Sequence, residues 1–271
     1  MYFEVNGKRV FATTGGKPFD NSLPCVMFLH GSGLDHTFWG LYSRFFAFRK
    51  YSVLVPDLPG HSYSVGPPLK SIEEIGDWLN GVVETLDINN ISVVAHSQGV
   101  LNALEFVSRH PQRVRSVSLI ASGLATPVNP TMLEAAGNSP EDAIAMMVGW
   151  GFGPAGHLHQ GPVPGSSMVA GSLKVMRDNA PQALAADLQA CNAYRNGKHA
   201  VAKISVPVQV ILGGQDRMAP RKATTELVKH LDNPEVHIIP ESGHMVPQEV
   251  PDKCRDLLKY FIYANNPATK N

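Results

Sequence analysis

The sequence of 271 residues has no excess of charge of either sign, few cysteines and no long hydrophobic run. Lysine plus arginine and aspartate plus glutamate number 23 each, so the formal net charge is zero. This balance offers no basic surface for nucleic acid or for an anionic membrane. No stretch approaches the roughly 18 consecutive apolar residues of a membrane span. The composition therefore favours a small uncharged molecule as the partner of this chain.

Metal-binding and disulfide patterns are also missing. The three cysteines are scattered along the chain: Cys25, Cys191 and Cys254. Their odd number and their spacing fit neither a disulfide framework nor a metal site. His157 and His159 lie in a loop rich in glycine and proline without a nearby carboxylate, which predicts surface histidines rather than metal ligands. The N-terminus has no apolar core of a signal peptide. We therefore expect a cytoplasmic protein with neither a metal nor another cofactor.

Short apolar runs are what the sequence does contain. Residues 2–13 predict a hairpin, since Asn6-Gly7 supplies the positive φ angles of a tight turn. Six later runs are rich in branched aliphatic residues: 26–29, 53–55, 91–95, 114–120, 208–212 and 236–239. Near-continuous apolar strands of this kind are typical of a parallel sheet that is covered on both faces.

Helical patterns alternate with these strands. Residues 71–86 begin with a capping box of Ser71 and Glu74 and carry apolar side chains on one face. Residues 250–262 show the same helical spacing. The alternation predicts a doubly wound α/β sheet. Residues 124–200 break it, because they contain no strand-like run and are rich in Gly, Pro, Ala and Met. We predict that this stretch, called the insertion below, is helical.

A serine follows the predicted strand at 91–95, in Ala95-His96-Ser97-Gln98-Gly99. A strained turn between a strand and a helix exposes such a serine, and it requires small residues two positions to either side. Ala95 and Gly99 meet that requirement, although Ala95 departs from the usual glycine. We predict that Ser97 is a nucleophile. The alternative is that Ser97 merely caps the following helix.

A nucleophilic serine needs a base and a carboxylate that orients the base. Of the eleven histidines, His244 lies in the loop after the last predicted strand, at the carboxyl edge of the sheet. Asp216 follows the preceding predicted strand, and it completes the chain order Ser, Asp, His. Asp57 also ends a strand but precedes Ser97, so we expect it to brace its own loop. Asp216 and His244 are therefore the predicted partners of Ser97.

Backbone amides must also stabilise an oxyanion in such chemistry. The strand at 26–29 ends in a glycine-rich turn, His30-Gly31-Ser32-Gly33. We predict that the amide of Gln98 and the amide of Ser32 form the oxyanion hole. Gly33 is the alternative to Ser32.

These motifs together resemble the α/β-hydrolase superfamily over essentially the whole chain. Five of them arrive in the order of that family: His30–Gly33, Asp57–Ser62, Ala95–Gly99, Gly214–Arg217 and Ser242–His244. The resemblance implies an eight-stranded, mostly parallel sheet with helices on both faces and a helical lid after the sixth strand. The implied division is a core of residues 1–123 and 201–271, with residues 124–200 as the lid.

The residue at the nucleophile position, Ser97, narrows the reactions that are expected within that family. Family members that cleave haloalkanes or epoxides use an aspartate where this chain has Ser97. Members that hydrolyse carbon–carbon bonds usually carry a tryptophan after the catalytic histidine, where this chain has Met245. No lysine or arginine lies between Arg115 and Lys174, although Arg177 and Arg195 keep a carbon–carbon bond hydrolase open as an alternative.

The insertion provides the clue to the substrate. Five of the nine methionines lie there, and methionine adapts to irregular apolar shapes. We predict that Met146, Met147, Trp150 and Met245 contact substrate, with packing onto the core as the alternative for each.

The sequence thus predicts a serine carboxylesterase that cleaves small to medium apolar esters through an acyl-enzyme on Ser97. Other non-ester chemistry on the same triad and a ligand receptor with slow turnover stay open as alternatives.

Overall fold

A computed structural model describes residues 1–158, 165–219 and 221–268. Eight strands of this described part form one sheet in the order β1-β2-β4-β3-β5-β6-β7-β8. The strands are β1 Tyr2–Val5, β2 Lys8–Thr13, β3 Cys25–Leu29, β4 Ser52–Pro56, β5 Ile91–His96, β6 Val114–Ile120, β7 Val208–Gly213 and β8 Glu235–Ile239. Strands β3 to β8 run parallel, whereas β1 and β2 join antiparallel at one edge. The predicted fold class is confirmed.

The predicted hairpin and the six predicted strands are all present. Asn6 and Gly7 have φ angles of 51° and 69°, as a tight turn between β1 and β2 requires. Strands β3, β4 and β5 are buried at every position, which explains their near-continuous apolar sequences. Alternate residues of β3 enter opposite cores, with Val26 and Phe28 on one face of the sheet and Met27 on the other.

The described residues also form twelve α-helices. They are α1 Gly40–Ala47, α2 Ile72–Thr85, α3 Gln98–Arg109, α4 Pro130–Asn138, α5 Pro140–Gly151, α6 Pro154–His157, α7 Met168–Asp178, α8 Ala183–Ala193, α9 Gly197–Val201, α10 Arg221–Lys229, α11 Val246–Glu249 and α12 Pro251–Asn265. None of them combines the length and the apolar character of a membrane span.

Helix α2 shows how the local sequence sets its start. The Ser71 side chain accepts a hydrogen bond from the Glu74 amide at 3.1 Å, as predicted. The Glu74 carboxylate, however, accepts from the amide of Lys70 at 2.9 Å rather than from that of Ser71. The capping box therefore closes one residue earlier than predicted.

Helices α4 to α9 lie in the insertion, between β6 and β7, and its described residues contain no strand. Helix α4 packs against α5 and α8, while α9 packs against α3 of the sheet layer. Apolar side chains of α4, α5, α7 and α8 join the same buried cluster as those of α1 and α12. The insertion thus shares its apolar core with the sheet.

Candidate active site

The turn from β5 to α3 places Ser97 in an unusual backbone conformation. Its φ and ψ are 55° and −120°, a region in which residues other than glycine are strained. Gly99 is required there, because a Cβ on it would lie 2.6 Å from the carbonyl oxygen of Leu29. Ala95 lies within β5 and is fully buried, so the first small position accommodates a methyl group. The strand-turn-helix elbow predicted around Ser97 is present.

The three predicted triad residues come together in one hydrogen-bonded row. The Nε2 atom of His244 lies 2.9 Å from Oγ of Ser97. The Nδ1 atom of His244 lies 2.9 Å from Oδ2 of Asp216. Both side chains of the histidine–aspartate pair are almost fully buried. This arrangement can move a proton from the serine hydroxyl to the imidazole while the carboxylate orients the ring.

The carboxylate of Asp216 is held in its ionised form. Its Oδ1 atom accepts hydrogen bonds from the amides of Met218 and Ala219, both at 2.8 Å. Burial opposes ionisation, but His244 and the two amides outweigh burial and lower the pKa of Asp216 below its ordinary value. The amides also fix which oxygen faces the imidazole.

The loop of His244 is fastened to the insertion. The amide of His244 donates to the carbonyl of Gly151, the last residue of α5, at 2.8 Å. The carboxylate of Glu249 accepts from the amides of Gly153 and Gly243 at 2.9 and 3.1 Å. Burial raises the pKa of this carboxyl group. Helix α5 therefore shares in positioning His244.

A second histidine supports the same loop from beneath. His96 is fully buried, and its Nε2 atom donates to the carbonyl of His244 at 3.0 Å. Burial, aided by the neighbouring His244, lowers the pKa of His96 to about 3. His96 is therefore neutral at physiological pH, and it adds no positive charge beside Ser97.

The glycine-rich turn after β3 lies directly against the elbow. A Cβ on Gly31 would approach Cβ of Ser97 to 3.0 Å, so this position has room for glycine alone without a shift. Ser32 is buried and lines the same cavity as Ser97. Gln98 is the first residue of α3, and amides of a first helical turn have no acceptor within the helix.

Gly33, the alternative donor, makes a contact that the sequence did not reveal. Its amide donates to the carboxylate of Asp187 at 2.8 Å and is therefore engaged. Asp187 lies on α8 and is 2% exposed. It also accepts from the side chains of His61 and Gln98. Asn179, at the end of α7, donates to the carbonyl of Gly33 at 2.8 Å. Sequence reasoning missed both residues of the insertion.

Asp57 has the bracing position that we expected for it. Its Oδ1 atom accepts from the amide of His36 at 2.8 Å, and its carbonyl accepts from the Ser64 hydroxyl at 2.7 Å. It is fully buried and does not contact His244. Asp216 thus has the position of the acidic partner of His244, as predicted.

A cavity of about 190 Å³ opens onto Ser97 and His244. Apolar side chains form much of its wall: Val128, Met132, Met147, Trp150, Leu188 and Met218.

Of the predicted substrate contacts, Met147 and Trp150 line this cavity. Met146 instead lines a neighbouring groove, since adjacent residues of α5 point about 100° apart. Met245 does not line this cavity: its side chain packs against Gly151 in the apolar core, and its amide, like that of His244, donates to the Gly151 carbonyl.

One cation was not anticipated at this cavity. Arg217 follows the candidate triad acid and is the one lysine or arginine among the described residues that line the space. Its guanidinium donates to the carbonyl of Gly149 at 3.0 Å. The insertion supplies no cation to the described cavity wall, as its sequence indicated, but the loop after β7 does.

The described part of the chain offers no ready metal site. Across residues 1–158, 165–219 and 221–268, no group of three His, Cys, Asp or Glu side chains is placed to hold a metal ion. Nε2 of His157 donates a hydrogen bond to the Gly149 carbonyl at 3.0 Å. His159 lies outside the described residues.

Comparison with known proteins now identifies the family. A sequence model of the alpha/beta hydrolase family matches residues 26–257. The chain belongs to this family, and by family and fold it is a hydrolase. A pimeloyl-[acyl-carrier protein] methyl ester esterase of Neisseria meningitidis is 28% identical over 242 residues, covering 84% of this chain and 89% of that protein. An uncharacterized protein of Mycobacterium tuberculosis is 25% identical over 265 residues, covering 90% and 77%.

Solved structures share the fold. The enol-lactonase of Burkholderia xenovorans superposes with a TM-score of 0.86 at 21% identity, covering 97% of this chain and 99% of that chain. A thermophilic esterase of Thermogutta terrifontis has a TM-score of 0.84 at 18% identity, covering 98% and 99%. At these identities the likeness establishes the architecture.

Proposed function

We propose that this hydrolase is a serine carboxylesterase that cleaves small to medium apolar esters. The observation that carries the proposal is the row from Ser97 Oγ through His244 to Asp216, with both hydrogen bonds at 2.9 Å and the serine opening onto a cavity. In this reaction Ser97 is the nucleophile, His244 the general base and Asp216 the residue that orients it. No cofactor takes part.

The chemistry follows from the geometry of the row. Asp216 accepts the Nδ1 proton of His244, so Nε2 is free to accept the proton of the Ser97 hydroxyl. The serine oxygen attacks the ester carbonyl as its proton passes to His244. The protonated His244 then gives that proton to the alkoxide oxygen as its bond to the acyl carbon breaks, so the alcohol leaves and the acyl-enzyme remains. Water hydrolyses the acyl-enzyme with His244 again as base. The amides of Ser32 and Gln98 stabilise both tetrahedral intermediates.

The size and lining of the cavity support a small acyl group. Pockets for drug-sized ligands span roughly 300–1,000 Å³, whereas this cavity is about 190 Å³. Met147, Trp150 and Leu188 of the insertion make much of its wall apolar. We propose that residues 124–200 act as a lid over the core of residues 1–123 and 201–271. The esterases and the enol-lactonase among the relatives support an ester bond as the target.

The test is turnover of p-nitrophenyl esters of increasing acyl length by the Ser97→Ala variant. We expect kcat to fall by roughly 10⁵–10⁶-fold, because removal of a triad nucleophile leaves only the contribution of the oxyanion hole and of binding. Ser108→Ala is the matched control, since this serine lies on the same helix and its hydroxyl donates to the Glu105 carbonyl at 3.0 Å. It should keep full activity. Near-native turnover by Ser97→Ala would overturn the assignment.

A fluorophosphonate probe separates the alternatives from the proposal. Labelling of Ser97 together with turnover across the ester panel supports a carboxylesterase. Labelling without ester turnover would instead favour a slow-turnover ligand receptor, or non-ester chemistry such as carbon–carbon bond hydrolysis on the same triad.

A further inference from the structure

Asp187 is a buried carboxylate that the proposed chemistry does not use. It is 2% exposed and lies on α8 of the insertion. Its Oδ2 atom accepts from the Gly33 amide at 2.8 Å and from Nε2 of His61 at 3.0 Å. Its Oδ1 atom accepts from the side-chain amide of Gln98 at 3.1 Å. A buried charge is costly unless it is paired and hydrogen-bonded, so these three donors explain how the fold retains it.

Two of the three donors belong to the two halves of the proposed oxyanion hole. Gly33 directly follows Ser32, and its amide is held by the same carboxylate that holds the side chain of Gln98. A single side chain of the insertion thus joins the turn after β3 to the start of α3. Asn179 adds a second tie, because its side chain donates to the Gly33 carbonyl and accepts from the Ser62 amide, both at 2.8 Å.

We propose that Asp187 is a positioning residue that holds the amides of Ser32 and Gln98 at the spacing an oxyanion requires. This inference rests on the proposed function. An oxyanion hole stabilises a transition state because its donors are already in place before charge develops. The turn at Gly33 has a φ of 66°, and a glycine is free to adopt a wider range of backbone conformations than any other residue. The hydrogen bond from its amide to Asp187 restricts that freedom next to Ser32.

His61 balances the negative charge of Asp187, which would otherwise oppose an oxyanion nearby. Nε2 of His61 faces Asp187, while its Nδ1 faces the carbonyl of Pro59 at 3.2 Å. Both ring nitrogens face acceptors, and only the protonated imidazole can donate to both. Burial disfavours that form, yet Asp187 outweighs burial and raises the pKa of His61. The buried pair is therefore neutral as a whole, and it does not repel an oxyanion as a lone carboxylate would.

The experiment compares Asp187→Asn with Glu105→Gln. Glu105 is a matched control because it is also buried and bonded to residues of the insertion, Tyr194 and Asn196, but does not touch the turn after β3. Active sites are counted by fluorophosphonate titration, so that kcat refers to folded enzyme. An alkyl trifluoromethyl ketone, which forms a tetrahedral adduct with a catalytic serine, reports on the oxyanion hole directly.

For Asp187→Asn we expect kcat to fall about 10- to 100-fold, less than the 10²–10³-fold cost of deleting a donor outright. KM should stay within about 3-fold, because the substrate contacts are kept. The inhibition constant of the trifluoromethyl ketone should rise in parallel with the loss of kcat. Glu105→Gln should lower the melting temperature while its kcat per active site stays at the wild-type value.

A purely structural role for Asp187 gives a different pattern. Asp187→Asn would then lower the melting temperature, while kcat per active site and the inhibition constant stayed within 3-fold of wild type; that result overturns the inference. If Asp187→Asn does not fold, Gln98→Met removes one of its contacts and keeps the backbone amide, and the same criteria apply with about a 10-fold expected loss. Absence of ester turnover by the wild-type protein would refute the proposed function instead.

Discussion

Replacing Asp216 with asparagine tests the proposed catalytic row most sharply, because the structure dictates how the new side chain must sit. The amides of Met218 and Ala219 both donate to Oδ1 at 2.8 Å, so the asparagine oxygen must occupy that site. Its NH₂ group then faces Nδ1 of His244, which must accept. The imidazole proton moves to Nε2 and points at Ser97, so no base remains. We expect a loss of about 10⁴-fold in kcat, or about 5 kcal/mol in the barrier.

The assay is kcat on p-nitrophenyl acetate, with active sites and melting temperatures measured for each variant. Asp232→Asn is the matched control, since Asp232 is exposed between α10 and β8, and it should be fully active. Because the fold lowers the pKa of Asp216, this group stabilises the protein above its unfolded pKa of about 4. The stability gap between wild type and Asp216→Asn should therefore shrink as the pH falls through the folded pKa. A loss of kcat below about 10-fold would show that another group orients His244.

Two further predictions concern stability and substrate charge. Glu105 accepts from Tyr194, Asn196 and Arg109, so Glu105→Gln should cost about 1–3 kcal/mol in urea denaturation at pH 7. Burial raises the pKa of Glu105, but these donors outweigh burial and lower it, so this cost should be full above the unfolded pKa of about 4.3 and should shrink as the pH falls through the lower folded pKa; a constant cost would contradict the argument. Arg217→Gln should reduce kcat/KM about 5-fold for the monomethyl ester of a dicarboxylic acid and leave the dimethyl ester unchanged, because Arg217 lines the cavity. Equal effects on both esters would show that the guanidinium does not meet substrate.

The sheet and the candidate triad could be predicted because their signals are local. Each parallel strand is a short aliphatic run, and each candidate triad residue lies within a few positions of the carboxyl end of such a run. The topology of a parallel sheet brings those ends to one edge. Position along the chain was therefore enough to select Asp216 over Asp57, and His244 from eleven histidines.

The role of Asp187 could not be predicted, because its partners are distant in the sequence. It lies 126 residues from His61, 154 from Gly33 and 89 from Gln98. Its surroundings on α8 are ordinary for a helix, and only tertiary packing shows that it is buried.

The positions of Met146, beside a neighbouring groove, and of Arg217, at the cavity, both have local signals in the sequence. Met146 and Met147 are neighbours on one helix, so helical spacing alone indicates that they face different spaces. Arg217 is adjacent to Asp216, and the loop that delivers one to the site also brings the other to the cavity.

The ties between the insertion and the turn after β3 bear on how such a protein can be recombined. Because Asp187 and Asn179 reach across to Gly33 and the loop at Ser62, residues 124–200 are not an independent module. A chimera in which this segment comes from a relative has a different cavity wall. It also loses the hydrogen bonds from Asp187 and Asn179 to the turn after β3. To transfer the substrate specificity of a relative to this protein, the relative's turn after β3 must therefore be transferred together with its helix α8.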